Sequence, residues 1–161
     1  MSNAVIFADF DGVFHSMDSC GYGDDLVVSH NPDLFRWAPL LWQIIEPHPV
    51  DIVVHSSWRH LYPAAALIAL FPSAMQPRIV GVAQGRERDQ SIRNYVCMHD
   101  VKRFAVLDDS PEAFSGNWPN LIVCDSQRGI NDADVLAKIR SFVGDATIPL
   151  YRFRNAEYSN A

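Results

Sequence analysis

Five short apolar runs, separated by stretches with helical spacing, constrain this chain more than any other feature. The runs are Val5 to Phe10, Asp51 to His55, Arg78 to Val82, Phe104 to Leu107 and Leu121 to Cys124. Each is too short for an ordinary helix and has the length of a buried strand. Between them, Leu34 to Ile45, Trp58 to Leu70, Arg88 to Cys97 and Ala133 to Val143 place apolar residues at helical intervals. The last is the clearest helix. Asn131 or Asp132 offers a cap, Val135, Leu136, Ile139 and Phe142 recur along one side, and Gly144 ends it.

Strands alternating with helices require right-handed crossovers, and hence a mainly parallel sheet covered on both faces. The expected fold is therefore α/β: a doubly wound, three-layer, Rossmann-like domain with five strands and no large cap. A length of 161 residues, 48% hydrophobic and 20% charged, is ordinary for one compact domain covering residues 1–161. Residues 14–49 read as a short loop-and-helix insert, with Val13 to Asn31 as a loop or hairpin. Residues 145–161 read as a tail whose Ile148, Leu150, Tyr151 and Phe153 partly dock.

A formal net charge of -6 is the reverse of the basic footprint that non-specific nucleic-acid binding needs, although it leaves room for a local basic patch. Every apolar run is interrupted well before membrane-spanning length. Met1-Ser2-Asn3-Ala4 leads into the first strand with no basic region or apolar signal core, so a cytoplasmic protein without membrane partners is expected. Cys20, Cys97 and Cys124 are odd in number and far apart, with no C-x-x-C pair, and read as reduced structural thiols.

In doubly wound folds, ligands bind beyond the carboxyl ends of the strands, so chemistry is sought where the apolar runs stop. The first run ends in Asp9-Phe10-Asp11-Gly12. An extended backbone would project both carboxylates to one side and Phe10 to the other. Paired acids repel unless a cation, a proton or good hydrogen bonds compensate, and Mg²⁺ is the natural oxygen-seeking partner. An Asp-Gly turn is also common without any ligand, and this motif alone does not separate the two readings. The second run ends in His55-Ser56-Ser57-Trp58-Arg59, where Ser56 suits both a helix cap and a donor to an anion. The fourth ends in Asp108-Asp109-Ser110. Two acidic strand ends meet only if their strands are neighbours; together they form a credible Mg²⁺ site.

The order and spacing of these residues resemble the haloacid dehalogenase (HAD) superfamily. Asp9-Phe10-Asp11-Gly12-Val13 resembles its D-x-D-G nucleophile motif, Ser56 its strand-end hydroxyl, and Asp108-Asp109 its distal acids. Ser56-Ser57-Trp58-Arg59 resembles the [ST]-x-W-R segment of small HAD-like domains of RNA repair proteins, and Asp125 to Ile130 their D-x-x-x-G-[LI] ending. The resemblance implies a Mg²⁺-dependent phosphomonoester hydrolase or phosphotransferase acting through an aspartyl-phosphate. In it Asp9 is the nucleophile, Asp11 the acid and base, and Ser56 a phosphate ligand. Metal ligands would be Asp9, Asp11 through its backbone carbonyl, and Asp108 or Asp109. The family's charge-compensating basic residue falls on Arg88, with Arg86 and Lys102 as rivals.

Ser57 and Arg59 are candidates for substrate binding, Arg59 being equally suited to a surface ion pair. His15 and His55 read as hydrogen-bonded structural groups, and Trp37, Trp42 and Trp58 as packing residues. The expected partner is a phosphorylated small molecule, nucleotide or nucleic-acid end. With no cap to close the pocket, a homo-oligomer is the alternative means of closure. Two other classes remain at this stage: a non-catalytic binding domain that keeps the fold, and a receiver-like phosphorelay module, which has no need of Asp11.

Overall fold

The computed structural model describes residues 4–19 and 32–145. Its five strands are β1 (Ala4–Ala8), β2 (Val50–Val54), β3 (Ile79–Val82), β4 (Arg103–Asp108) and β5 (Leu121–Val123). They form one sheet in the order β3-β2-β1-β4-β5, with every pairing parallel. Among the described residues the α-helices are α1 (Ala38–Ile45), α2 (Ala64–Ala69), α3 (Arg88–Met98) and α4 (Ala133–Gly144). The Rossmann-like α/β architecture expected from the alternation is present.

Strand pleating builds the three layers. Ala4, Ile6 and Ala8 of β1 join Ile52 and Val54, Ala105 and Leu107 in a core shared with α1, α2 and α4. Val5 and Phe7 point the other way, with Val53, Phe104 and Val106, into a core closed by Ile92 and Val96 of α3. Because both faces of β1 are covered, this central strand is buried throughout and has no polar alternation. Each large apolar side chain so buried contributes roughly 1.5–3 kcal/mol.

The helix boundaries differ from the periodicity in two places. The stretch from Trp58 to Leu70 is split into a short 3₁₀ turn over Ser57–His60 and α2. Pro63, standing at the N-cap of α2, lacks an N–H and restrains the residue before it, so one continuous helix cannot form. The helix expected from Leu34 begins only at Ala38, with Pro39 in its first turn and Phe35 at a φ of +57° just before it. Within the insert, Cys20 to Asn31 lie outside the described residues, as does the tail from residue 146 with its expected docking. Among the described residues no helix is long and apolar enough to cross a membrane.

The chain winds outward from β1 through β2 to β3, then crosses back to β4 on the other side of β1. The reversal opens a crevice between the carboxyl ends of β1 and β4, where doubly wound sheets bind ligands. Register sets what lines it. Ala8 pairs with both Val54 and Leu107, so Asp9, His55 and Asp108 come next, side by side.

Candidate active site

Asp9 lies directly beyond β1 and is buried, its backbone N–H extending the ladder to Leu107 O at 3.0 Å. Its Oδ1 accepts from the Phe10 N–H at 2.7 Å and its Oδ2 from Arg88 Nη1 at 2.5 Å. Burial, reinforced by the charge of Asp108, raises the Asp9 pKa, while Arg88 pulls in the opposite direction. Asp108, also buried, accepts from Arg88 Nη1 at 2.7 Å, from the Ser110 N–H at 2.8 Å and from His55 Nε2 at 2.8 Å. Burial alone would raise its pKa. The bonds and charges of His55 and Arg88 outweigh that and lower it.

Asp109 completes the cluster, with one carboxylate oxygen each from Asp9, Asp108 and Asp109 lying within 4.8 Å of one another. Burial, followed by the charge of Asp9, raises the Asp109 pKa. Three converging carboxylates are the hard oxygen donors Mg²⁺ takes, and burial together with their mutual charge raises the pKa of Asp9 and of Asp109 even with Arg88 beside them. The donor set therefore fits the metal that the sequence resemblance implies.

Arg88 opens α3, and its guanidinium reaches both Asp9 and Asp108, whose charges raise its pKa against the lowering effect of burial. The two rivals are elsewhere: Arg86 is exposed beside Glu87 at 3.6 Å, and Lys102 is exposed against Asp100.

Asp11 occupies a separate position. Since β1 ends at Ala8, the strand alternation that would set the Asp11 carboxylate beside that of Asp9 does not extend through Asp11. Instead Asp11 Oδ2 accepts from Trp58 Nε1 at 2.8 Å, and Oδ1 lies 3.0 Å from His15 Nε2. Phe10 turns away into a nest of rings with Phe14, Phe35, Trp58 and Phe71.

Ser56 is fully buried at the end of β2, and its Oγ caps the 3₁₀ turn by accepting from the Trp58 N–H at 3.4 Å. Ser57 is exposed. Arg59 donates from Nη1 to the carbonyls of His55 and Ser56, at 2.5 and 2.9 Å, and from Nη2 to Gly85 O at 3.1 Å. It therefore ties the Ser56 turn to the segment entering α3, while among the described residues its buried Nε meets no acceptor. Burial and then the Arg88 charge lower its pKa, although a guanidinium stays protonated at neutral pH.

The loop after β1 is held by the segment after β5. Asp125 Oδ1 accepts from the N–H groups of Gln127 and Arg128, and the Ile130 N–H donates to Val13 O at 3.0 Å. Gly129 permits the close approach, since a Cβ there would lie 2.4 Å from Val13 O. The D-x-x-x-G-I segment thus steadies the turn that carries Asp11.

On sequence alone His15, His55 and Trp58 count as structural or packing residues. In the fold all three bond candidate carboxylates. The signal for His15 and His55 is their place near strand ends; nothing in the spacing points to the Trp58 indole N–H. Trp37 is buried and Trp42 partly buried in the core, as packing residues.

A parallel five-stranded α/β domain with an Asp-x-Asp-Gly turn, a strand-end serine, a basic residue and two distal acids around one crevice has the features of a HAD-like domain. A family model, the HAD domain in Swiss Army Knife RNA repair proteins, matches residues 5–135, and the chain belongs to that family. No curated protein and no solved structure matches the chain.

Proposed function

We propose that the chain is a Mg²⁺-dependent phosphomonoester hydrolase that works through an aspartyl-phosphate on Asp9. The observation that carries this reading is the convergence of Asp9, Asp108 and Asp109 with Arg88 bonded to the first two. Asp9, the Asp11 backbone carbonyl and Asp108 or Asp109 would hold the ion. When bound, it supplies charge neutralisation between the carboxylates and an incoming phosphate.

Asp9 presents a carboxylate oxygen to phosphorus, and the Asp9–P bond forms as the bond from phosphorus to the leaving oxygen breaks. Arg88, within reach of Asp9, offsets the negative charge that would otherwise repel the phosphate. Ser56 would donate its hydroxyl hydrogen to a phosphoryl oxygen while its Oγ goes on accepting from the Trp58 N–H. Asp11 delivers a proton to the leaving oxygen, then takes one from the water that attacks phosphorus and releases inorganic phosphate, restoring Asp9. General acid and base help of this kind is worth roughly 10²–10⁴ in rate.

The substrate class is a phosphomonoester, and the family's association with RNA repair makes a phosphorylated RNA end the first choice over free nucleotides and small metabolites. The test is phosphate release from RNA carrying 5′- or 3′-phosphate, from nucleotides and from small phosphomonoesters, with Mg²⁺ or with chelator. Turnover requiring Mg²⁺ and lost in Asp9→Asn is expected. A folded wild-type protein that binds Mg²⁺ yet releases no phosphate from any of them overturns the reading in favour of a binding domain.

A further inference from the structure

The acid–base candidate is the site residue least explained by the carboxylate cluster, because its carboxylate is bound by two groups that the chemistry above does not use. Trp58 Nε1 donates to one oxygen of Asp11 at 2.8 Å, and His15 Nε2 lies 3.0 Å from the other. His15 is itself fixed: its Nδ1 accepts from the Phe35 N–H at 3.4 Å. A ring nitrogen that accepts carries no proton, so Nδ1 is the acceptor and Nε2 is left to donate to Asp11.

The bonding is supported at some cost. Phe35 holds a φ of +57°, a left-handed conformation unusual for a bulky residue, while buried among the rings of Phe10, Phe14 and Phe71. That packing pins the backbone N–H that sets the His15 tautomer. His15 is fully buried and Trp58 nearly so, and their rings stand 6.1 Å apart. Trp58 is anchored on its other faces by Phe10 and Tyr62. Both donors therefore come from rigid aromatic supports, whereas the Asp11 side chain keeps 16% exposure toward solvent.

We propose that Trp58 and His15 are positioning residues that aim the Asp11 carboxylate for proton transfer. The inference rests on the phosphatase reading and deepens it, assigning to the tryptophan two residues past Ser56 and to the histidine four residues past Asp11 a role in one chemical step. Proton transfer demands tight geometry, and misplacement by about 1 Å costs on the order of 100-fold in rate.

Leaving-group dependence gives a readout that simple loss of structure does not move. Departure of an alkoxide needs the acid; departure of a nitrophenolate hardly does. The experiment compares kcat/KM for an alkyl phosphate and for p-nitrophenyl phosphate in wild type, Trp58→Phe, His15→Met, His15→Gln and Asp11→Asn. Trp58→Phe keeps an aromatic ring and removes only the N–H donor; His15→Gln keeps a donor where His15→Met has none.

Trp58→Phe and His15→Met are expected to lose roughly 10- to 100-fold on the alkyl ester and under about threefold on the nitrophenyl ester. His15→Gln should recover most of the loss, and adding Trp58→Phe to Asp11→Asn should cost nothing further. Equal losses on both esters, an additive effect in the Asp11→Asn background, or unchanged rates overturn the positioning role while leaving the phosphatase reading intact. If Trp58→Phe does not fold, the His15 pair decides by the same criteria. A wild type inactive on both esters overturns the phosphatase reading itself, and the positioning role with it.

Discussion

Gly12 and Asp109 share one small volume: a Cβ placed on Gly12 would lie 2.3 Å from Oδ2 of Asp109 and 2.8 Å from its Cβ. The glycine of the Asp-x-Asp-Gly turn therefore makes room for a carboxylate about a hundred residues away in sequence. It also has a φ of +66°, which an L side chain resists by about 1–2 kcal/mol. Gly12→Ala is expected to destabilise the fold by about that amount in urea unfolding and to displace Asp109. Mg²⁺-dependent phosphate release should fall at least ~10-fold. Full activity in a folded Gly12→Ala protein would show that the Asp109 position is not needed.

Arg59, considered as a substrate ligand from its place after Ser56, has its guanidinium committed to the carbonyls of His55, Ser56 and Gly85. Charged hydrogen bonds of this kind are worth about 1.5–3 kcal/mol, and removing the donor leaves carbonyls unpaired. Arg59→Ala should lower stability by about 2–3 kcal/mol. Arg59→Lys should recover little, because an ammonium lacks the planar fork that spans two chain segments. Denaturant titration of the three proteins checks this, and a Lys variant as stable as wild type would contradict it.

Burial of the Asp109 carboxylate, reinforced by the charge of Asp9, predicts a pH signature in chelated protein. The Asp109 pKa is raised in the fold, so between its ordinary value of 3.8 and the raised one the native state binds more protons than the unfolded state. Stability is lost as pH rises through that window. Asp109→Asn, which never ionises, escapes the loss: with chelator it should melt above wild type at neutral pH, and the difference should vanish below about pH 4. Adding Mg²⁺ should raise the wild-type melting temperature more than the variant's. A variant melting below wild type at neutral pH in chelator would contradict this account.

Thiol reactivity offers an independent check on the core. Burial pushes the Cys124 thiol up to about 12, whereas Cys97 is exposed on α3. Because the thiolate is the reactive form, iodoacetamide at pH 8 should label Cys97 and spare Cys124 until the protein is unfolded. Peptide mass spectrometry resolves the two sites. Labelling of Cys124 at a rate comparable to Cys97 in folded protein would mean that the β5 end opens readily.

What the sequence determined by itself was the class of fold and the place of the candidate site. Alternating apolar runs and helical spacings define a parallel sheet because only right-handed crossovers join such elements, and acidic residues where β1 and β4 stop fall at its ligand-binding edge. These are local signals, carried by neighbours in the chain. Tertiary structure decided which long-range partners each acid acquired. Strand order and register set Asp9, His55 and Asp108 side by side, α3 brought Arg88 rather than Arg86 to them, and the early end of β1 at Ala8 sent Asp11 to Trp58 and His15. No periodicity encodes those meetings, because a hydrogen bond between residues 47 apart depends on how two loops pack, and packing is a property of the whole core.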